Sequence, residues 1–177
     1  MKGAIVKCLE DLVRNKFGTA KWSAILVDAG LSPGTMYSLL QDVDDAETLR
    51  LLQSACRVLN ISLEQASDAF GEHWVTVYAP RTYCYFFETA KTAADFLLSL
   101  DGVHSTVTSM MKNARPPRFS YEWDDPKTLR MIYKSDRNLA ILVVGLARGA
   151  GKYYKEKLEV SLVDPKTVKV TFEKARA

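Results

Sequence analysis

TAADFLLSLDGVHSTVTSMMKNARPP, residues 92–117, reads as a helix that carries a single histidine on its apolar stripe. Steps of three and four residues from Ala93 reach Phe96 and Leu97, then Leu100, His104, Val107 and Met111. That is the spacing of a helix buried along one side. His104 stands where the pattern calls for leucine. Pro116 and Pro117 are expected to end the helix, because proline forces the residue before it out of the helical region. A lone histidine on such a stripe is ordinarily a core residue with one hydrogen-bond partner. Its meaning therefore depends on what the rest of the chain sets beside it.

The chain has 177 residues, enough for one domain made of two closely packed subdomains, read here as 1–62 and 63–177. Hydrophobic residues make up 47% and charged residues 25%, the balance of an ordinary soluble protein. With 24 basic and 21 acidic residues the net charge is +3, and no concentrated basic patch stands out, so nucleic acid is not an expected partner. Cys8, Cys56 and Cys84 are odd in number and far apart. They suggest neither a disulfide framework nor a metal spacing, in keeping with a reducing cytoplasm. The opening helix is broken by Glu10 and Asp11, unlike a signal peptide. The longest apolar run, 139–147, is too short to span a bilayer, so no membrane insertion is expected.

Outward from the central stretch, the chain before it is helical. Ile5, Leu9, Leu12 and Val13 line a first helix ending near Gly18. Trp22, Ile25 and Leu26 line a second over 21–29, and Ser32-Pro33-Gly34 is a turn. A third opens at Asp44, with Glu47 as a possible capping-box partner, and stops near Asn60. Ser62 and Gln65 repeat that signal for a fourth, which includes Phe70, Gly71 and Trp74 and ends at Pro80. Tyr83, Tyr85, Phe86 and Phe87 read as core. After Pro117 the period changes to two: Phe119, Tyr121 and Trp123 form a strand, a turn follows at 124–126, and a second strand runs from Leu129 to about Arg137. Residues 138–154 return to a buried helix, and 158–163 pairs with 168–172 as a hairpin. Helices first, then a small antiparallel sheet with one inserted helix, is an α+β architecture.

The second strand holds Tyr133, Ser135 and Arg137 at alternate positions, which period two would place on one face. A phenol, a hydroxyl and a guanidinium make a row of donors suited to carboxylates or phosphates. The same row also suits the solvent face of an edge strand. The opposite face, Ile132, Lys134 and Asp136, is hardly more apolar, so which side looks inward stays open.

The Tyr133-Lys-Ser135-Asp-Arg137 run resembles the Tyr-x-Ser-x-Arg motif of the H-NOX family, the haem nitric oxide/oxygen binding domains related to the sensor region of soluble guanylate cyclase. The similarity extends over nearly the whole chain: Met1-Lys2-Gly3 with Ile5, Phe70-Gly71-Glu72, Leu100-Asp101-Gly102-Val103-His104, Pro116-Pro117 and Gly145-Leu146 agree in order and spacing. The resemblance implies haem b buried between the helical layer and the sheet part, with His104 as proximal iron ligand. It implies Tyr133, Ser135 and Arg137 at the propionates, and Ile5 and Pro117 pressing on the porphyrin. Leu9, Trp74, Tyr78, Leu142 and Leu146 would line the distal pocket.

Oxygen-binding members carry a tyrosine on the helix after the propionate motif, and here that position holds Leu142; Leu9 and Trp74 replace its usual helpers. The expected function is therefore a cytoplasmic, non-enzymatic sensor of nitric oxide that also binds carbon monoxide and excludes oxygen. Signalling would proceed by release of His104, with Gly71 as a hinge, to a histidine kinase or a cyclic-dinucleotide enzyme. The alternative is that the chain is a segment of a longer chemoreceptor or cyclase. Two rivals are a haem enzyme or oxygen-binding haem protein, and a cofactor-free interaction domain.

Overall fold

A computed structural model describes residues 1–175. Helices α1 (Gly3–Phe17), α2 (Thr19–Asp28), α3 (Asp45–Leu59) and α4 (Leu63–His73) come first. A π-helical turn (Trp74–Tyr78) leads into two short helices, α5 (Ala79–Thr82) and α6 (Cys84–Glu88). The long helix α7 (Ala93–Met110) precedes strands β1 (Arg118–Asp125) and β2 (Thr128–Lys134). Helix α8 (Ala140–Tyr154) and strands β3 (Leu158–Asp164) and β4 (Thr167–Phe172) complete the chain. The strands form one antiparallel sheet in the order β1-β2-β4-β3. The architecture is α+β, as its patterning indicates.

Local chemistry accounts for most element ends. The Asp44 carboxylate accepts the Ala46 and Glu47 amides at the start of α3, while Asn60 closes that helix in the left-handed region. Glu47 does not complete a reciprocal box; its carboxylate accepts the Tyr37 hydroxyl at 2.8 Å instead. Ser62 with Gln65, and Thr92 with Asp95, form full capping boxes for α4 and α7.

Four sequence expectations need correction. Pro80 does not end its helical region but sits in the first turn of α5, where its missing N–H costs nothing. Upstream, Pro80 cannot bond back to Thr76, and the chain widens into the π turn, with the Ala79 amide reaching the Trp74 carbonyl. The central helix stops at Met110, well before Pro116, and Asn113 takes the left-handed conformation in the connection. Strand β2 ends at Lys134, because Asp136 and Arg137 turn and Asn138 is again left-handed. Finally, Phe87 is core but Tyr85 is 69% exposed.

Apolar side chains gather in two cores. One is built by α1, α2 and α3 with Phe70 of α4, and centres on Val6, Trp22, Ile25, Leu26 and Leu51. The other packs the inner face of the sheet (Leu129, Met131, Tyr133, Val168, Val170) against Phe96 and Leu97 of α7 and Val143, Val144 and Ala147 of α8. Trp74 touches both. The two cores are joined where α4 crosses α8, backbone on backbone. A Cβ at Gly71 would lie 2.1 Å from the Gly145 carbonyl carbon, and one at Gly145 would lie 2.0 Å from the Ser67 oxygen. Arg148 to Asp68 (2.5 Å) and Lys152 to Glu72 (2.5 Å) flank that contact as ion pairs one helical turn apart.

Candidate functional site

Helix α7 buries Ala93, Phe96 and Leu97 fully, whereas Leu100, His104, Val107 and Met111 are only half-buried. His104 is fixed from two directions. Its Nδ1 lies 2.7 Å from the Pro117 carbonyl oxygen, and its ring meets Phe119 of β1 at 5.6 Å between centroids. A carbonyl can only accept, so Nδ1 carries the proton and Nε2 the lone pair. Burial pushes the imidazole below its usual pKa, against the opposing pull of the Pro117 hydrogen bond, and the ring is neutral. Nε2 has no hydrogen-bond partner among the described residues. The site therefore presents a neutral, oriented imidazole with an open donor atom, the form that ligates a metal.

A clasp at the same helix locks this arrangement. Arg118 grips Asp101 with two hydrogen bonds of 2.7 and 2.6 Å, and the Phe119 amide donates to the same carboxylate at 2.8 Å. Arg118 holds that carboxyl down to about 2. One step along β1, the Tyr121 hydroxyl accepts the Asp101 amide and donates to the Leu97 carbonyl. The sheet edge thus holds α7 one turn before His104. Neither Arg118 nor Tyr121 stood out in the sequence as a site residue, although Asp101 lies three residues before His104 on the same helical face.

The Tyr133, Ser135 and Arg137 row is only partly a strand row. Tyr133 belongs to the inward face with Leu129 and Met131 and is 3% exposed, its ring edge-on to Phe119 at 6.0 Å. That settles which face looks inward. Ser135 and Arg137 lie in the turn beyond β2, so they are placed by the turn and not by period two. Among the described residues the Tyr133 hydroxyl has no partner, and the Ser135 hydroxyl only accepts the Arg137 amide at 3.4 Å. Both protons are unspent. Arg137 is not: its Nε and Nη2 fork onto Asp45 at 2.7 and 3.3 Å, and Nη1 donates to the Arg115 carbonyl. Asp45 also accepts the N-terminal ammonium at 2.6 Å. Burial raises its carboxyl, but the hydrogen bonds from Arg137 and the N-terminus outweigh this and bring it below its ordinary range.

Ile5, Leu9 and Leu142 share the wall of a cavity of about 30 Å³ with Leu52, Phe70 and Leu139. It has no polar surface, and the hydroxyl of Thr48 at its edge is spent on the Asp44 carbonyl. Trp74, Tyr78 and Leu146 lie outside that wall. Trp74 stacks on Phe70 at 6.0 Å, Tyr78 packs on Trp74 at 5.6 Å, and Leu146 packs on the sheet-side core. The structure thus brings Ile5, Leu9 and Leu142 together and sets Trp74 and Tyr78 one and two rings away. Pro117 contributes its carbonyl to His104. His73 is buried and pairs with Asp11 of α1 at 2.7 Å, as a core histidine does.

A family model described as Haem-NO-binding matches residues 2–162. The chain belongs to the Haem-NO-binding family. Membership places it among haem-binding gas-sensor domains related to soluble guanylate cyclases. It is 28% identical over 152 residues to soluble guanylate cyclase gcy-35 of Caenorhabditis elegans, a match covering 84% of this chain and 22% of the relative. Soluble guanylate cyclase gcy-37 of the same organism is 27% identical over 146 residues, covering 80% and 20%. The chain thus spans about a fifth of the length of these cyclases. An oxygen-binding H-NOX domain related to soluble guanylate cyclases, solved as its oxygen complex, superposes with a TM-score of 0.81 at 24% identity over 99% of this chain and 96% of that one. A second structure, described as bearing on the mechanism of H-NOX activation, gives 0.84 at 23% identity over 100% and 99%. These likenesses speak to the fold.

The residues present fit a haem. His104 offers a neutral imidazole with an open Nε2, and Tyr133 and Ser135 offer unspent hydroxyl protons, with Arg137 two residues beyond Ser135 in the same turn. Apolar walls stand on the side of Ile5 and Leu9. Among the described residues no cluster of three or more His, Cys, Asp or Glu could hold a metal ion, and no helix is long and apolar enough to cross a membrane.

Proposed function

We propose that this Haem-NO-binding domain is a haem b sensor of nitric oxide that also binds carbon monoxide, excludes oxygen, and passes its signal to a partner protein. The observation that carries the haem assignment is His104, whose Nδ1 is tied to the Pro117 carbonyl and whose Nε2 is left open. In this reading His104 holds the iron, and Tyr133, Ser135 and Arg137 hold the propionates. Ile5 and Pro117 would flank the porphyrin, Leu9 and Leu142 would face the gas, and Trp74, Tyr78 and Leu146 would stand behind that wall. When bound, the haem would supply an iron with intrinsic affinity for nitric oxide.

The choice of gas follows from the cavity wall of Ile5, Leu9 and Leu142. Oxygen as a ligand needs a donor for its partial negative charge, worth roughly 1.5–3 kcal/mol. That wall has none. A cavity without polar partners also stays dry, which suits an apolar diatomic. Within the chain, His104 tethers α7 while Asp101 and Arg118 tie α7 to β1. Freeing His104 would loosen the second half of α7, which is only half-buried, while the α4–α8 crossing keeps the two cores in register. The body 1–62 would then shift against 63–177, with the crossing at Gly71 as pivot. A histidine kinase or a cyclic-dinucleotide enzyme would read that shift.

The test is an absorption spectrum of the reduced protein under nitric oxide, carbon monoxide and air, with His104→Gly beside it. The reading expects gas complexes with the first two and no stable complex in air. It also expects His104→Gly to lose the native ferrous spectrum and regain it with imidazole. An unchanged spectrum in His104→Gly without imidazole would sink the assignment.

A further inference from the structure

The Tyr78 hydroxyl is buried and has no hydrogen-bond partner among the described residues. A buried hydroxyl without a partner destabilises the fold, so its presence calls for a reason. Its position in the π turn supplies the geometry. Phe70, Trp74 and Tyr78 form a column of three rings, with centroids 6.0 and 5.6 Å apart and planes tilted by 25° and 30°. Phe70 is part of the apolar cavity wall, Trp74 is the middle ring, and Tyr78 is the far one. Tyr83 flanks the indole at 6.4 Å. The ionisable groups around the Tyr78 phenol are Cys8, Asp11 and Glu10 of α1 and Tyr83, and burial pushes the phenol up to about 12. An unspent O–H donor therefore lies two rings from a cavity that has none.

We propose that Trp74 is a specificity-determining residue: its indole separates the Tyr78 hydroxyl from the apolar cavity and so keeps a donor away from the gas. This rests on the oxygen-excluding reading above and gives it a second, removable cause beside the leucines at 9 and 142. The indole stands between Phe70 and the phenol in the ring column, so the phenol can reach the cavity only past it. With Trp74 cut back to a small residue, the phenol can turn toward Phe70 and satisfy its hydroxyl on a polar guest. The energy of the orphaned hydroxyl drives that movement.

The test compares the unaltered protein, Trp74→Ala, Tyr78→Phe and the double variant Trp74→Ala/Tyr78→Phe, with Trp74→Leu as a second truncation should the alanine variant fail to fold. Two readouts are taken. In the haem-free proteins, tyrosine ionisation is followed by ultraviolet absorbance, with Tyr78 identified as the transition lost in Tyr78→Phe. Its midpoint is expected near 12 in the unaltered protein and nearer the ordinary value of about 10 once Trp74 is truncated. In the haem-loaded, reduced proteins, oxygen affinity is measured in buffer equilibrated with known oxygen pressures.

Trp74→Ala should bind oxygen at least about tenfold more tightly than the double variant, the worth of one hydrogen bond to a charged oxygen. Equal oxygen affinities in those two, with the unaltered protein forming no oxygen complex, overturn the screen and leave the exclusion reading standing. An oxygen complex in the unaltered protein overturns both.

Discussion

Replacing Gly71 by alanine tests the claim that the two cores are joined by a crossing with no room for a side chain. The added Cβ would sit 2.1 Å from the Gly145 carbonyl carbon, 2.2 Å from the Leu146 nitrogen and 2.6 Å from the Gly145 oxygen. All three are backbone atoms, so no rotamer change relieves them. Ordinary contact begins at 3.4 Å, and α4 would have to lift from α8 by more than an ångström. That movement would strain the Asp68–Arg148 and Glu72–Lys152 pairs as well. Overpacking costs about 1–3 kcal/mol where neighbours can yield, and a backbone wall puts this substitution at the upper end. For a chain of this size each kcal/mol lowers Tm by about 2–4 °C, so a fall of about 6–12 °C is expected.

The control is Gly102→Ala, also helical, where nothing lies within 4 Å of the new Cβ. There alanine should stabilise α7 by about 0.5–1 kcal/mol. Thermal unfolding followed by circular dichroism, on haem-free and haem-loaded protein alike, decides the matter. A Gly71→Ala protein within 2 °C of the parent, or a Gly102→Ala protein that loses as much, would refute the reasoning.

Three further outcomes follow from the site. Changing Ser135 and Arg137 together to alanine should speed haem transfer to an apo-globin acceptor at least about a hundredfold, since charge-assisted hydrogen bonds are worth about 1.5–3 kcal/mol each; equal transfer rates would show that the turn after β2 does not hold the cofactor. Tyr121→Phe should cost about 1 kcal/mol in urea unfolding, because it removes the hydroxyl that bridges the Asp101 amide and the Leu97 carbonyl; a neutral substitution would mean that the bridge contributes nothing. Asp101→Asn should cost about 1 kcal/mol at neutral pH, a modest figure because Arg118 is 49% exposed. The folded carboxyl is held to about 2 by Arg118, below its unfolded value of about 3.9, so the contribution is complete above pH 4 and disappears as pH falls to about 2. Parent and variant stabilities should converge across that window, and a constant difference down to pH 2 would contradict the clasp.

The legible parts of this molecule were those written within one element. His104 announced itself because a polar ring interrupts an otherwise apolar stripe on α7, and the capping box at Ser62 and Gln65 needs only neighbours three residues apart. Tyr133, Ser135 and Arg137 were recognisable as a motif, yet the geometry inferred for them was wrong beyond Tyr133. Period two holds only while a strand continues, whereas here Asp136, Arg137 and the left-handed Asn138 turn the chain. What stayed hidden depends on distant partners. Asp45 meets Arg137 across 92 positions and the N-terminus across 44, and nothing near Asp45 advertises either. The π turn is hidden for another reason: Pro80 has the sequence signature of a stop, but its effect falls upstream of itself, on the carbonyl it cannot bond.

The hydrogen bond from His104 has a consequence for how such a site can vary. Its acceptor is the main-chain oxygen of Pro117, which every amino acid possesses. The electron-donating strength of the imidazole is therefore set by where the polypeptide runs between α7 and β1, and no exchange of one side chain for another can delete it. Drift at the neighbouring positions can only move that oxygen nearer or farther, by steps as small as the backbone allows. With haem bound as proposed, the ligand field at its iron would be a continuously adjustable property of the chain path. A side-chain acceptor in the same place would have made it a switch that one mutation could throw.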